Sequence, residues 1–192
     1  MERCVPWDLI AKILCRLSVK SLVRFKCVSK RWCSEISNPN FIRFHLKRSA
    51  QANTHNSLVI VDGRKLSLVD LSNPLHIPKE VNDSLNPLSN KLIKFLGICD
   101  GLLCMSTYNY STIVMWNMST GEHLTLLSQP DPDYYRSPLV GPNPLFGFGY
   151  DPINDDYKVI RIYQTFSPSF GLNAVSYNIR SKSWKEILSL CN

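Results

Sequence analysis

The sequence predicts an α+β protein in which a short helical module comes first and antiparallel β-hairpins follow. Three observations carry this prediction. Apolar residues recur at helical spacing as far as about residue 48, and short β-type runs replace that spacing from about residue 57. A strand–turn–strand arrangement then recurs three times. The expected organisation is a helical head at 1–48, a linker at 49–56 and a β region at 57–192.

The charge of the chain lies almost entirely in the helical head. The 192 residues carry a formal net charge of +7. Residues 1–48 hold 11 Lys/Arg and three acidic residues, a net of +8, whereas the remaining 144 residues hold 11 basic and 12 acidic residues, a net of −1. A basic head of this kind suits nucleic acid, an anionic membrane or an acidic protein surface.

Cysteine usage and hydropathy indicate a reducing compartment. The seven cysteines form an odd set without a C-x-x-C pair, and no secretory leader is visible at the start. Reduced thiols are therefore expected, in the cytoplasm or the nucleus. No apolar run approaches the ~18 residues of a membrane span, so no membrane association is predicted.

The first helix is predicted from its start signal and its apolar stripe. Pro6 has the fixed φ of a first helical turn, and Asp8 places a carboxylate near the positive end of the helix dipole. The stripe falls at i, i+3, i+4 and i+7: Ile10, Ile13, Leu14 and Leu17. Leu9 widens it.

Three further short helices are expected before residue 48. Ser18 or Ser21 is a candidate N-cap for the second helix. The third carries an apolar residue at every fourth position: Val28, Trp32 and Ile36. Asn38-Pro39 is typical of an N-cap and first turn, which predicts a fourth helix carrying Phe41 and Phe44.

So small a module is expected to need a partner surface. Below about 50 residues, without disulfides or metal, a helical unit rarely encloses its own apolar side chains. The alternative is that the stripes pack on the following domain. A DNA-binding helix-turn-helix is less favoured, because Lys26, Lys30 and Arg31 lie among apolar residues; a solvated basic face explains them better.

The head resembles a plant F-box. Residues 5–17 (VPWDLIAKILCRL) and 19–32 (VKSLVRFKCVSKRW) carry the resemblance, and 38–46 complete it. The resemblance implies docking to an acidic Skp-type adaptor, which links an F-box to a cullin scaffold in an SCF ubiquitin ligase. The residues that it implies for the docking surface and its supporting core are Pro6, Leu9, Ile10, Ile13, Leu14, Leu17, Leu22, Val28 and Trp32. Lys12, where the family commonly has Glu, and Ser18, where it commonly has Pro, depart from the pattern.

The β region is predicted to contain three copies of one unit. Each copy pairs two short apolar runs across a turn: 58–61 with 66–71, 102–105 with 113–116, and 157–163 with 174–177. Asp62-Gly63 favours a tight hairpin in the first copy. A further apolar stretch follows each: Leu75 and Ile77; Leu124, Leu126 and Leu127; Trp184, Ile187 and Leu188. The period is that of propeller blades, and the alternative is a plain antiparallel meander.

The same region resembles the plant F-box-associated domain, a propeller-like substrate-recognition region of the defence-repressing and S-locus F-box proteins. The landmarks are GICDGLLC at 97–104, MWNMST at 115–120, FGFGYDP at 146–152, DDYKV at 155–159, and VSYN with SW at 175–184. Residues 50–192 suffice for about three blades, whereas closed propellers use about four to eight. We therefore expect a C-terminally truncated family member with about half of a ring.

No catalytic, cofactor or metal site is predicted. The four histidines are scattered, and Cys99 and Cys104 are better explained as small buried side chains than as ligands. Aromatic residues in the long inter-strand loops are the candidates for substrate binding: Tyr108, Tyr110, Tyr134, Tyr135, Phe166 and Phe170. The alternative is that half or more of them pack on the blades.

The preferred hypothesis is a non-catalytic substrate receptor of an SCF-type ubiquitin ligase, which binds the adaptor through the head and an unknown protein substrate through the β region. Two alternatives remain. One is a truncated protein that binds the adaptor without recruiting substrate. The other, less favoured, is a nucleic-acid-binding regulator that uses the basic head.

Overall fold

The computed structural model describes residues 6–52, 57–71, 75, 77–82, 85–126, 144–165 and 171–191. The chain divides into two compact units. The first contains Met1–Ile60 and Leu66–Val81, and the second contains Val61–Lys65 and Asn82–Asn192. The expected order, helices first and antiparallel sheets after them, is confirmed.

The described residues of the head form four helices: α1 Trp7–Leu14, α2 Val19–Phe25, α3 Lys30–Ile36 and α4 Pro39–Ala52. Pro6 precedes α1 in an extended conformation, and its carbonyl accepts hydrogen bonds from the first-turn N–H groups of Leu9 and Ile10. Asp8 lies in that first turn, where its carboxylate complements the helix dipole. Residues 49–52, which the sequence assigns to a linker, continue α4.

Side-chain caps start the three later helices. The Ser18 hydroxyl accepts from the N–H three residues on at 3.3 Å, and the Asn38 side chain accepts from the N–H two residues on at 2.9 Å. Both caps were among the predicted ones. The Ser29 hydroxyl caps α3 by accepting from the N–H of Trp32 at 3.2 Å. The apolar spacing did not predict this cap. Because α3 begins only at Lys30, Val28 lies outside the helix that was predicted to carry it.

The helical head has its own small core. Leu14, Leu22 and Ile36, one from each of the first three helices, are at most 5% exposed. Partly buried apolar side chains surround them: Ile10, Leu17, Phe25, Trp32 and Phe41. Each residue of this core therefore belongs to one of the four helical segments that the sequence predicted.

The predicted stripe of α4 was wrong at one position. Phe41 packs on the core, but Phe44 is 54% exposed. The inward face continues instead through His45, which lies a full turn after Phe41, stacks on it and bonds the carbonyl oxygen of Leu17 through Nε2 at 2.8 Å. A polar ring thus occupies the position that the apolar pattern assigned to Phe44.

In the described part of the chain, three antiparallel sheets follow. The first has the order β1-β2-β3, the second β4-β5-β6-β7 and the third β8-β9-β10-β11. The strands are β1 Ser57–Asp62, β2 Lys65–Asp70, β3 Lys79–Glu80, β4 Ile93–Cys99, β5 Leu102–Thr107, β6 Ile113–Asn117, β7 His123–Leu126, β8 Leu145–Asp151, β9 Asp156–Thr165, β10 Gly171–Asn178 and β11 Ser183–Cys191. Each predicted unit corresponds to one sheet.

The three sheets differ from the predicted β units in two ways: two of them begin with an additional strand, and one lacks a predicted strand at its end. β4 and β8 each open a four-stranded sheet, whereas the sequence units began one strand later. Glycine is depleted in strands. Because β4 contains Gly97 and β8 contains Gly147 and Gly149, residue propensities did not predict these two strands. In the first sheet the predicted stretch at Leu75 and Ile77 is not a strand; the short β3 follows it.

Turn chemistry explains how β4 pairs with β5. Asp100 and Gly101 both have positive φ, at 52° and 77°, which is the type I′ geometry that suits a two-residue hairpin. In the β1–β2 hairpin only Gly63 has positive φ, because Asp62 still belongs to β1 and the two-residue loop is Gly63-Arg64. The predicted hairpin is confirmed, but its turn lies one residue later.

The second and third sheets share a core. Val159 and Tyr177 from the third sheet and Cys104, Ile113 and Leu126 from the second are at most 3% exposed. The first strands, β4 and β8, meet at Gly97, where a Cβ would lie 2.9 Å from the Cβ of Phe148. Only a residue without a side chain allows the two strands to approach this closely.

The other face of the third sheet is apolar and accessible. Its register places five exposed aliphatic residues on the side opposite Val159 and Tyr177: Leu145, Ile160, Ile162, Leu188 and Leu190. Each is at least 36% exposed, and Leu145 is 69% exposed. A sheet normally buries such a face against another layer.

Candidate docking surfaces

Helix α1 carries apolar residues on two sides. Ile10 and Leu14 face the head's core, whereas Leu9 and Ile13 are 49% and 59% exposed. Leu9 and Ile13 are four residues apart, so they form one continuous patch along the helix. Among the described residues, this second stripe therefore lies outside the head's core and is accessible.

Val28, in the connection between α2 and α3, is a further exposed apolar residue. It is 59% exposed, and Val23 on α2 is 38% exposed. Trp32 on α3 is half-buried and makes edge-to-face contacts with Trp7 at 6.3 Å and Phe25 at 5.6 Å between ring centroids. These contacts hold the indole in one orientation.

The nine residues implied for adaptor docking separate into three groups. Pro6, Leu9, Ile13 and Val28 are exposed, Ile10, Leu17 and Trp32 are half-buried, and Leu14 and Leu22 are buried. The first group has the exposure of a docking surface, and the last belongs to the core supporting it. Three exposed apolar side chains of the head were outside the predicted set: Val23, Ile42 and Phe44.

Exposed cations accompany these apolar residues on the first three helices. The exposed ones on the first three helices and their connections are Lys12, Arg16, Lys20, Arg24, Lys30 and Arg31. The Arg31 guanidinium lies 4.6 Å from the centroid of the Trp7 ring, which fixes one of the charges beside the aromatic cluster. An apolar centre with a basic rim suits an acidic protein partner.

The β5–β6 turn supplies two of the predicted substrate-binding aromatics. Tyr108 is 62% exposed. Tyr110 instead stacks on Phe146 at 5.0 Å between ring centroids. It therefore packs on the next sheet, as the alternative interpretation of these aromatic residues predicted. The Lys94 ammonium lies 4.4 Å from the Tyr108 centroid and 4.2 Å from the Tyr110 centroid, and it donates to the Tyr110 hydroxyl at 2.7 Å.

The remaining four candidates, Tyr134, Tyr135, Phe166 and Phe170, lie outside the described residues. The ends of the flanking strands are nevertheless informative. Strands of an antiparallel sheet alternate in direction, so β5, β7 and β9 all finish at the end of the sheets where β8 and β10 begin. The Tyr110–Phe146 contact joins the two sheets at this end. We call it the loop end.

The opposite end, which we call the turn end, is tied together by polar contacts. The Tyr157 hydroxyl donates to the Asp100 carboxylate at 2.9 Å, linking the third sheet to the β4–β5 turn. Burial, and then this hydrogen bond, raise the pKa of the Tyr157 phenol. Within the third sheet, the Arg180 guanidinium donates to the Asp155 carbonyl at 2.8 Å. Asp100, Asp155 and Tyr157, which belong to the motifs shared with the family, therefore connect the turns at this end.

Asp151 organises the β8–β9 turn. Its carboxylate accepts from the N–H groups of Ile153 and Asn154 and from the Asn154 side chain, and it pairs with the Lys158 ammonium. The Asn154 side chain, followed by Lys158, holds the pKa of the Asp151 carboxyl well below its ordinary value. The acidic run at 151–156 is therefore committed to turn structure.

The environments of Cys99 and Cys104 do not favour thiol chemistry. Cys104 is fully buried, and burial raises the pKa of its thiol to about 12. Burial and the neighbouring Asp100 charge raise the pKa of Cys99. In the part of the chain that the structure describes, no three His, Cys, Asp or Glu residues are grouped as metal ligands. Thiols with raised pKa are poor nucleophiles and poor metal ligands.

Two family models match the chain. Residues 3–44 match the F-box domain, and residues 56–191 match the F-box associated beta propeller domain. The chain belongs to the plant F-box proteins with an associated β-propeller domain. The matched ranges coincide with the four-helix head and with the three sheets.

Curated relatives of this F-box protein come from Arabidopsis thaliana. The putative F-box protein At3g16210 is 29% identical over 99% of this chain and 48% of its own length. F-box protein CPR1 is 28% identical over 98% of this chain and 46% of its own length, and the putative F-box protein At4g21240 is 34% identical over 82% and 37%. This F-box protein thus spans about half the length of such relatives, or less.

None of the described helices combines the length and the hydropathy that crossing a bilayer requires.

Proposed function

We propose that this F-box protein is a non-catalytic substrate receptor of an SCF-type ubiquitin ligase. In this proposal the head docks on a Skp-type adaptor that is bound to a cullin scaffold, in the cytoplasm or the nucleus, and the β region holds a protein substrate. The observation that carries the proposal is the second apolar stripe of α1. Leu9 and Ile13 are exposed on a head whose core is already filled.

The composition of the surface supports an acidic adaptor as the partner. In this proposal the exposed Leu9, Ile13 and Val28 act as the apolar centre of the contact, and the exposed lysines and arginines of the head act as its rim. Burial of the apolar centre supplies affinity, whereas the cations favour encounter with an acidic protein and disfavour a basic one. Lys12 lies in this rim, so its replacement of the usual Glu is expected to adjust adaptor preference without affecting the head's core.

The β region supports substrate holding rather than chemistry. The Asp151 carboxylate is held in turn structure, and the thiols of Cys99 and Cys104 have raised pKa values. The loop end instead presents an exposed Tyr108. Holding a substrate beside a catalytic partner raises the effective concentration of the two, which accelerates transfer without any reacting group in this chain.

The adaptor half of the proposal is tested by a pull-down with a purified Skp-type adaptor. Leu9→Asp combined with Ile13→Asp is expected to weaken binding at least tenfold, because each change places a charge in a desolvated apolar contact. Ile153→Asp is the matched control, since Ile153 is 91% exposed in the β8–β9 turn. Leu14 is unsuitable for this test, because its replacement would unfold the head.

Unchanged adaptor binding by the double variant, with its helical circular dichroism preserved, would contradict docking through α1. The substrate half is tested separately, by adding the ubiquitin-activating and ubiquitin-conjugating enzymes to the assembled complex. Ubiquitylation of a co-purifying protein supports a receptor. Adaptor binding without any ubiquitylated partner supports instead a protein that occupies the adaptor without recruiting substrate.

A further inference from the structure

Three neighbouring segments meet at the loop end of the second unit. The N–H of Ile93 donates to the carbonyl of Gly63 at 2.8 Å, and the N–H of Tyr108 donates to the carbonyl of Leu92 at 2.9 Å. The tip of the β1–β2 hairpin, the entry to β4 and the end of β5 therefore lie side by side. We call the side chains that they contribute the basic–tyrosine patch: Arg64, Lys91, Leu92, Lys94 and Tyr108.

Lys94 is held in position at the centre of this patch. The rings of Tyr108 and Tyr110 both lie within 4.5 Å of its ammonium, and Tyr110 is itself stacked on Phe146. An ammonium has three N–H donors, and the Tyr110 hydroxyl accepts one of them. An ordered cation loses less conformational entropy on meeting an anion than a mobile surface lysine does.

The patch combines this charge with accessible apolar area. Leu92 is 47% exposed and Tyr108 is 62% exposed. A large exposed aromatic next to an aliphatic side chain is typical of a protein contact, where aromatics act as anchors. Arg64 and Lys91 flank the pair and are exposed.

The two ends of the second unit differ in charge. Among the described residues at the loop end, Arg64, Lys65, Lys91 and Lys94 are opposed only by Asp62. At the turn end the described acidic residues are Asp100, Glu122, Asp151, Asp155 and Asp156, against four basic ones, Lys158, Arg180, Lys182 and Lys185. An acidic segment is therefore attracted to the loop end and not to the turn end.

We propose that the basic–tyrosine patch binds an acidic segment of the substrate protein, with carboxylates or phosphates at Arg64, Lys91 and Lys94 and an apolar residue between Leu92 and Tyr108. This inference rests on the proposed function, because it names the chemical class of substrate. Single-stranded nucleic acid is the less favoured ligand. Of Tyr108 and Tyr110, the first alone offers a ring for base stacking, since Phe146 covers the second, and an aliphatic side chain such as Leu92 suits a protein contact better than a nucleic-acid contact.

The test measures fluorescence anisotropy of labelled twelve-residue peptides with the full chain at 50 mM and 150 mM salt. The acidic probe repeats Glu-Glu-Leu, and its neutral counterpart repeats Gln-Gln-Leu. The wild-type chain is expected to bind the acidic probe at least tenfold more tightly. Arg64→Glu with Lys91→Glu is expected to remove at least tenfold of that affinity, and Tyr108→Ala at least threefold at both salt concentrations, because the ring contributes contact area rather than charge.

Lys182→Glu with Lys185→Glu is the matched control; it makes the same change of net charge near the turn end and should weaken binding less than twofold. Equal weakening by the control pair would overturn the proposal, as would equal affinity for the two peptides. Tighter binding of a twelve-nucleotide oligo-dT, lost in the same variants, would overturn it in favour of nucleic acid. The adaptor pull-down is run in parallel. Failure of the wild-type chain to bind the adaptor refutes the proposed ligase role. Patch variants that still bind the adaptor but no longer bind the peptide show that the peptide-binding defect comes from the patch.

Discussion

Replacement of Gly97 by alanine tests how closely the second and third sheets pack. The added Cβ would lie 2.9 Å from the Cβ of Phe148 and 3.3 Å from its backbone nitrogen. Neither atom is at the end of a flexible side chain, so the strands themselves must move apart. The φ of Gly97 is not positive, and the cost therefore comes from crowding and not from backbone strain.

The expected destabilisation follows from this crowding. Forcing one extra methyl group into a packed contact costs about 1–3 kcal/mol. For a domain of this size, a change of ~2 kcal/mol lowers the melting temperature by roughly 4–8 °C. The core below the contact, which contains Val159 and Tyr177, is expected to loosen at the same time.

Thermal unfolding, followed by circular dichroism and by tryptophan fluorescence, measures the effect. Gly147→Ala is the matched control, because it is the same change on the adjoining strand and a Cβ there meets nothing within 4 Å. It should leave the melting temperature unchanged or raise it slightly, since alanine restricts the unfolded chain. Equal melting temperatures for the two variants would refute the close approach of β4 and β8.

Three further predictions concern the hydrogen bonds. Tyr157→Phe removes the hydrogen bond to Asp100 and should lower stability in urea by about 1 kcal/mol; a double-mutant cycle with Asp100→Asn that gives no coupling would argue against the contact. Asp151→Asn should lower the melting temperature at pH 7, and the difference from wild type should narrow as the pH falls from 5 to 2. The folded pKa of Asp151 is depressed, so its ionised form stabilises above the ordinary carboxyl range and that stabilisation is lost on acidification; a widening difference would contradict this. Ser29→Ala should cost about 1 kcal/mol through loss of the α3 cap, whereas Ser29→Asp should restore most of it, both read from unfolding monitored at 222 nm.

The separation of α1 into two apolar sides carries the functional argument. The stripe at Ile10, Leu14 and Leu17 was visible in the sequence, and so was Leu9 beside it. Whether Ile13 belonged to the core or to a partner was not, because its spacing from both Ile10 and Leu17 fits a single stripe. Only the positions of α2 and α3, which cover Leu14 and leave Ile13 at 59% exposure, distinguish the two roles.

Local chemistry determined much of this protein from its sequence. The caps at Ser18 and Asn38, the hairpin at Gly63 and the three β units follow from residue types at short range, because hydrogen bonds of caps and turns join residues two to four positions apart. The basic head and the near-neutral β region are likewise properties of composition.

Tertiary structure alone decided the rest. Gly97 in β4 is required because a side chain there would collide with Phe148 in β8, which only the approach of the two strands reveals. The Asp100–Tyr157 hydrogen bond joins residues 57 positions apart. Tyr108 and Tyr110 are two residues apart in one turn, yet one is exposed and the other is stacked on Phe146 of the next sheet. Contacts at such separations depend on how the sheets stack, which no local pattern encodes.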